Sequence, residues 1–128
     1  CARIINISSI AAGNPQDIFP HYSAMKAGLS NLTVSLAQTL APDKILVNSI
    51  SPGPVWSKSW EDEVRNSESD FEQTKKEIME QTGKTVPLNR MGMPEDLTGL
   101  ALFLASDSSS WITATNFTVD GGVTRSPF

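Results

Sequence analysis

The chain has 128 residues, 39% of them hydrophobic and 19% charged, and a formal net charge of −4. These values fit one modest globular domain with a small core and exclude a disordered chain. The acidic balance argues against nucleic acid or an anionic membrane surface as partner, since both require a basic face.

The chain opens on Cys1-Ala2-Arg3-Ile4-Ile5-Asn6-Ile7 with no initiator Met. It therefore reads as a piece of a larger domain that starts in mid-strand. Arg3 to Ser8 is β-rich and suits a buried strand, and residues 11–17 have loop chemistry. From Tyr22 to Leu40 apolar residues recur at Tyr22, Met25, Leu29, Leu32, Leu36 and Leu40, the spacing of one helical face, and Pro42 lies just past the end. Ile45 to Ile50 is a second strand, cut short by Ser51-Pro52-Gly53-Pro54.

Trp56 to Val86 is polar and acidic, with helical pieces over 60–65 and 71–81. Eight of the fourteen acids lie between Glu61 and Glu80, which reads most simply as a solvated face. Pro94 suits the first turn of a further helix, and Glu95 and Asp96 complement the positive end of its dipole. Leu97, Leu100, Ala101 and Leu104 carry its apolar face to about Ser106. Thr115 to Val119 is a last strand turned by Asp120-Gly121-Gly122. Strands alternating with helices predict an α/β fold with a parallel sheet. Ligands of such sheets bind at the carboxyl ends of the strands, which directs attention to Ser9 and to Pro52–Ser57.

Cys1 is the only cysteine and His21 the only histidine, so no disulfide framework and no cysteine- or histidine-based metal cluster is expected. No apolar run is long enough for a membrane span. No signal or transit peptide is recognised, and the expected location is the cytoplasm.

Tyr22 and Lys26 are four residues apart on a predicted helix and project from one face. A phenol is a weak acid, with a reference pKa of roughly 10, and a nearby ammonium favours the phenolate. Such a pair can give and take a proton. Ser9, thirteen residues before Tyr22, could share a carbonyl oxygen with it. The plainer readings are an aromatic residue packed beside a solvated lysine and a serine that only caps a turn.

The ensemble carries more weight than any pair. Asn6-Ile7-Ser8-Ser9, Tyr22-Ser23-Ala24-Met25-Lys26-Ala27-Gly28, Val47-Asn48-Ser49-Ile50-Ser51-Pro52-Gly53-Pro54-Val55, Arg90-Met91-Gly92-Met93-Pro94-Glu95-Asp96 and Val119-Asp120-Gly121-Gly122 together resemble the ordered C-terminal signatures of the short-chain dehydrogenase/reductase family. The resemblance implies the C-terminal part of a single Rossmann-like (doubly wound) domain over 1–128, lacking the N-terminal half, with 57–88 as a substrate lid.

It implies an oxidoreductase that moves a hydride between NAD or NADP and a carbonyl or secondary alcohol. Tyr22 would be the general acid/base, Lys26 would assist it and hydrogen-bond the nicotinamide ribose, and Ser9 would orient the substrate carbonyl. Pro52, Gly53, Val55 and Ser57 would contact the cofactor, with Val55 holding the carboxamide through its backbone. Ser57 stands where the family often has threonine. Trp56 and Trp60 are candidates to line the substrate pocket, or equally ordinary packing residues. The family's glycine-rich phosphate turn and the asparagine of its catalytic tetrad have no counterpart; Asn6 and Asn48 read as structural.

A homodimer or homotetramer is implied through the Tyr22–Leu40 helix, whose small residues Ala24, Ala27 and Gly28 could instead pack on the sheet. Trp111 reads as core or interface. The rival reading is a truncated half-domain that binds a partner or self-associates without turnover.

Overall fold

The computed structural model describes residues 2–15, 17 and 19–126. Cys1 and Gln16, which figure in the expected first strand and loop, lie outside these.

Three parallel strands form one sheet in the order β1 (Ala2–Ile7), β2 (Ile45–Pro52), β3 (Asn116–Val119). β1 and β2 run in register from Ala2 opposite Ile45 to Ile7 opposite Ile50, and Ser49 lies opposite Asn116. β2 is central, and Val47 to Ser51 are all buried. Its run of apolar and small residues suits a strand covered on both faces.

Helix α1 (Pro20–Leu40) joins β1 to β2. Helices α2 (Lys58–Asn66), α3 (Phe71–Gly83) and α4 (Glu95–Ala105) lie between β2 and β3. Side chains alternate along β1. Asn6 Nδ2 donates to Thr33 Oγ1 of α1 at 2.9 Å, while Arg3 donates to the Ser106 carbonyl at the end of α4 at 3.2 Å. Residues 3 and 6 point to opposite faces, so α1 and α4 cover the sheet from opposite sides.

Helix α1 does not turn its apolar stripe to the sheet. Its buried residues are Ser23, Thr33 and Ala37, whereas Met25 is 74% exposed and Leu32 48%. Small and hydroxylated side chains let the helix lie close to the strands, and Thr33 Oγ1 satisfies its own donor on the Leu29 carbonyl. The packing alternative for the small residues fails at Gly28, where an added Cβ would meet nothing within 4 Å. Trp111 is 98% exposed and so is not part of this chain's core. Asn48 is structural, as expected: its side chain donates to the Ile112 carbonyl and accepts from Thr115 N, tying the loop before β3 to β2.

Helices α2 and α3 close over their own small core, in which Trp56, Val64 and Met91 are buried and Phe71, Ile78 and Met79 pack around them. Arg65 sits 4.4 Å from the Phe71 ring centroid and Lys75 5.1 Å from that of Trp56, contacts that favour cations over aromatic faces. The acids here are mostly exposed. Glu61 pairs with Arg65 and Asp62 with Lys58 along α2, and Asp70 caps α3 by accepting from Gln73 N at 2.8 Å.

Pro94 precedes α4 as its N-cap rather than sitting inside the first turn, and supplies no side-chain cap. Asp96 does that work. Its carboxylate takes both Arg90 nitrogens at 2.7 Å and Met93 N at 2.7 Å. The Arg90 guanidinium, then the Met93 amide, hold this carboxyl well below the usual carboxylate range. A depressed folded-state value contributes stability that is complete above the unfolded value of about 3.9 and is lost as pH falls through the folded value. Asp96→Asn should therefore lower Tm at neutral pH, with the gap to wild type narrowing as thermal melts are repeated at progressively more acid pH. A gap that is absent, or independent of pH, would contradict this role.

Candidate active site

The site is built where β1 and β2 end. Ser9 follows β1 and opens a 3-10 turn, Ile10–Ala12; its Oγ accepts from Ala11 N at 3.1 Å. A hydroxyl held as an acceptor keeps its own proton free to donate. Helix α1 begins at Pro20, a residue suited to a first turn, and this places Tyr22 at the helix mouth, 44% exposed.

Lys26 follows one turn later. Its Nζ donates to the Ile7 carbonyl at 2.8 Å and lies 5.7 Å from the Tyr22 ring centroid. The helix is pinned there by buried Ser8, whose Oγ bonds the Lys26 carbonyl at 3.1 Å and Ser30 Oγ at 2.7 Å. Ser9, Tyr22 and Lys26 thus line one cleft of about 480 Å³ together with Pro52, Gly53, Val55 and Ser57.

The segment after β2 is held by two neighbours. Gly53 N donates to the Val119 carbonyl at 2.9 Å, and a Cβ on Gly53 would stand 2.5 Å from Asp120 Cβ. The glycine is thus required by close approach to the end of β3, a reason independent of any ligand. Asp120 itself feels burial, which would raise its pKa, but hydrogen bonds from Thr124, Gly122 and Val123 outweigh it and hold the group below its ordinary value. Gly121 and Gly122 make the turn beyond it with φ of 64° and 91°.

Val55 pairs with Gly92 as an isolated parallel bridge: Gly92 N donates to the Pro54 carbonyl and Trp56 N to the Gly92 carbonyl, both at 2.9 Å. Successive peptide groups of an extended chain point to opposite sides. The N–H and C=O of Val55 therefore face away from Gly92, and neither is bonded within the described residues. Ser57 stands at the N-cap of α2, yet its hydroxyl makes no capping bond.

The two candidate pocket tryptophans differ. Trp60 is half-buried and lines the cleft. Trp56 also borders it, but is only 5% exposed and packs chiefly in the α2–α3 core. Several lining residues carry no signal in the sequence. Phe19, Ser23, Thr85 and Val123 border a second lobe of about 280 Å³ that shares Ser9, Tyr22 and Trp60 with the first. Val123 follows the Gly121-Gly122 turn, which the sequence set apart from the ligand region. Phe19 becomes identifiable only once the start of α1 is known.

A family model described as enoyl-(acyl carrier protein) reductase matches residues 2–124. An uncharacterized oxidoreductase of Mycobacterium tuberculosis (strain H37Rv) is 42% identical over 119 residues, which are 93% of this chain and 43% of that protein. A sorbitol dehydrogenase of Cereibacter sphaeroides is 40% identical over 121 residues, 94% of this chain and 47% of its own. Among solved structures, an NADPH-bound short chain oxidoreductase of Pseudomonas aeruginosa PAO1 with an atypical catalytic center is similar at a TM-score of 0.84 and 32% identity, covering 98% of this chain and 47% of that one. The chain spans less than half the length of the curated relatives it matches.

Gly53→Ala should force the β2 tip from β3 and lower Tm by several degrees, because the clash is with backbone and Cβ atoms rather than a flexible side-chain end. Gly13→Ala, where an added Cβ meets nothing within 4 Å, serves as the control in the same melts. Equal effects of the two substitutions would contradict the close-approach argument.

Proposed function

The chain belongs to the short-chain dehydrogenase/reductase family of oxidoreductases, and from this we propose that it carries the proton-transfer and nicotinamide-contacting part of an enzyme that interconverts a carbonyl and a secondary alcohol. The observation that carries the reading is the convergence of Ser9, Tyr22 and Lys26 on one cleft at the carboxyl ends of β1 and β2.

Val55 supports a nicotinamide cofactor on physical grounds. An unpaired N–H and an unpaired C=O side by side match a primary carboxamide, which offers one acceptor and one donor set. The hydroxyl of Ser57, unused as a cap, and the ammonium of Lys26 would take further polar groups of the same ligand, with Pro52 and Gly53 forming the floor. NAD or NADP, when bound, supplies or receives the hydride.

The remaining chemistry belongs to the side chains. In reduction, the Tyr22 hydroxyl gives its proton to the oxygen of the carbonyl and is left as phenolate; in oxidation the Tyr22 phenolate takes the proton of the alcohol. Ser9, oriented by Ala11 N, donates a hydrogen bond to the same oxygen and fixes it next to Tyr22. The Lys26 ammonium, anchored on the Ile7 carbonyl, keeps a positive charge beside the phenol, where negative charge develops as the proton leaves. The exposed stripe of Met25 and Leu32 on α1 is assigned to contact with a second copy in a homodimer or homotetramer, since exposed apolar surface of this kind marks association.

In the complete protein, Tyr22→Phe should abolish turnover, a loss of about 10²–10⁴-fold, while the cofactor dissociation constant read from nicotinamide fluorescence stays essentially unchanged. Turnover at the wild-type rate would refute the assignment of Tyr22.

A further inference from the structure

The two lobes of the cleft differ in charge. The larger lobe is bordered by Lys26 and Lys58, and it holds the Pro52–Ser57 segment assigned above to the cofactor. The smaller lobe shares Ser9 and Tyr22 with it, and no charged side chain lines it among the described residues. Ile10, Ala11, Phe19 and Val123 supply apolar surface there, with Trp60 shared between the lobes. Beyond Ser9 and Tyr22, the polar groups offered by its described side chains are the hydroxyls of Ser23 and Thr85 and the indole N–H of Trp60. Phe19 is held edge-on to His21, ring centroids 6.3 Å apart.

We infer that the substrate is an uncharged ketone, or the matching secondary alcohol, bearing an aryl or alicyclic group that fills this smaller lobe. The inference rests on the assignment of Ser9 and Tyr22 as the groups that grip the reacting oxygen. With that oxygen between the two hydroxyls, one substituent of the carbonyl must enter the lobe.

A carboxylate or phosphate there would lose its hydration without a counter-ion, a large penalty. A polyol chain would bring more hydroxyls than Ser23 and Thr85 can satisfy, and each unsatisfied one costs free energy. An apolar ring loses nothing polar and gains from burial against Phe19 and Trp60. The size agrees: a cavity of about 150 Å³ takes a benzene, so a lobe of about 280 Å³ takes one or two rings. This sets the chain apart from its sorbitol dehydrogenase relative.

The test uses the complete protein and follows oxidation of NADH and NADPH with methyl 4-acetylbenzoate, 4-acetylbenzoate and fructose. The first two share the ring and the ketone and differ in the charge carried at the far end of the ring, which the inference places inside the smaller lobe. The expected kcat/KM for methyl 4-acetylbenzoate exceeds that for 4-acetylbenzoate by about tenfold or more, with fructose lowest. Thr85→Lys, which puts a cation in the wall, should narrow or invert the gap between ester and acid while leaving the cofactor KM unchanged. 4-Acetylbenzoate or fructose as the better wild-type substrate overturns the inference. If that happens and Tyr22→Phe still abolishes the turnover seen, the general acid/base assignment stands and only the substrate class falls. If nothing on the panel is reduced, binding decides. Quenching of Trp60 fluorescence, identified by its loss in Trp60→Phe, should show the ester binding more tightly than the acid, and equal or tighter binding of the acid overturns the inference.

Discussion

The site depends on the register between α1 and the end of β1. Buried Ser8 bonds the Lys26 carbonyl and the Ser30 hydroxyl, and Lys26 returns a bond from its ammonium to the Ile7 carbonyl. These contacts decide which turn of the helix lies over the strand end. A helix displaced by one residue would rotate Tyr22 by about 100°, out of reach of Ser9. The Ser8 contacts lie in a partly desolvated seam, where hydrogen bonds are directional and an unmade one is costly. They therefore fix position more sharply than the small apolar contacts of Ala37 could.

The second constraint is the stapling of the segment after β2. It is held by Gly53 against β3 on one side and by the Val55–Gly92 bridge on the other. The Arg90–Asp96 pair sits at the base of that bridge and starts α4. The motif that reads as Arg-Met-Gly-Met-Pro-Glu-Asp in sequence is thus a mechanical part. Its glycine admits the close approach to Val55, and its charged ends lock the loop. The consequence is a Val55 N–H and C=O turned away from Gly92, with no bond to another described residue.

Much of this was legible in the sequence, for reasons that can be named. The β-rich run before Ser9, the end of β2 within Ser51-Pro52-Gly53-Pro54, though two residues later than read, and the acidic first turn of α4 at Glu95 and Asp96 are local signals, and local signals survive folding. The parallel α/β order followed from alternation of strands and helices. The direction of the apolar stripe on α1 did not follow, because periodicity identifies a face without saying what covers it. The helix gave its small, hydroxylated face to the sheet, and Met25 and Leu32 point outward. Of the two readings of Trp111, core is excluded by its 98% exposure; a large aromatic residue is usually buried, but nothing in its neighbours fixes its side. The smaller lobe was illegible because Phe19, Thr85 and Val123 come from three separate segments, brought together only by the turn after β3 and the end of α3.

In the proposed mechanism the hydroxyls of Ser9 and Tyr22 grip one oxygen while the Val55 backbone holds the cofactor beside it. A crystal structure of the complete protein with a nicotinamide cofactor and a bound ketone or alcohol tests this. Ser9 Oγ and Tyr22 Oη should both lie within about 2.6–3.2 Å of the same substrate oxygen, with the Val55 N–H and C=O bonded to the carboxamide. A substrate oxygen held by other groups, or a carboxamide bound away from Val55, would contradict it.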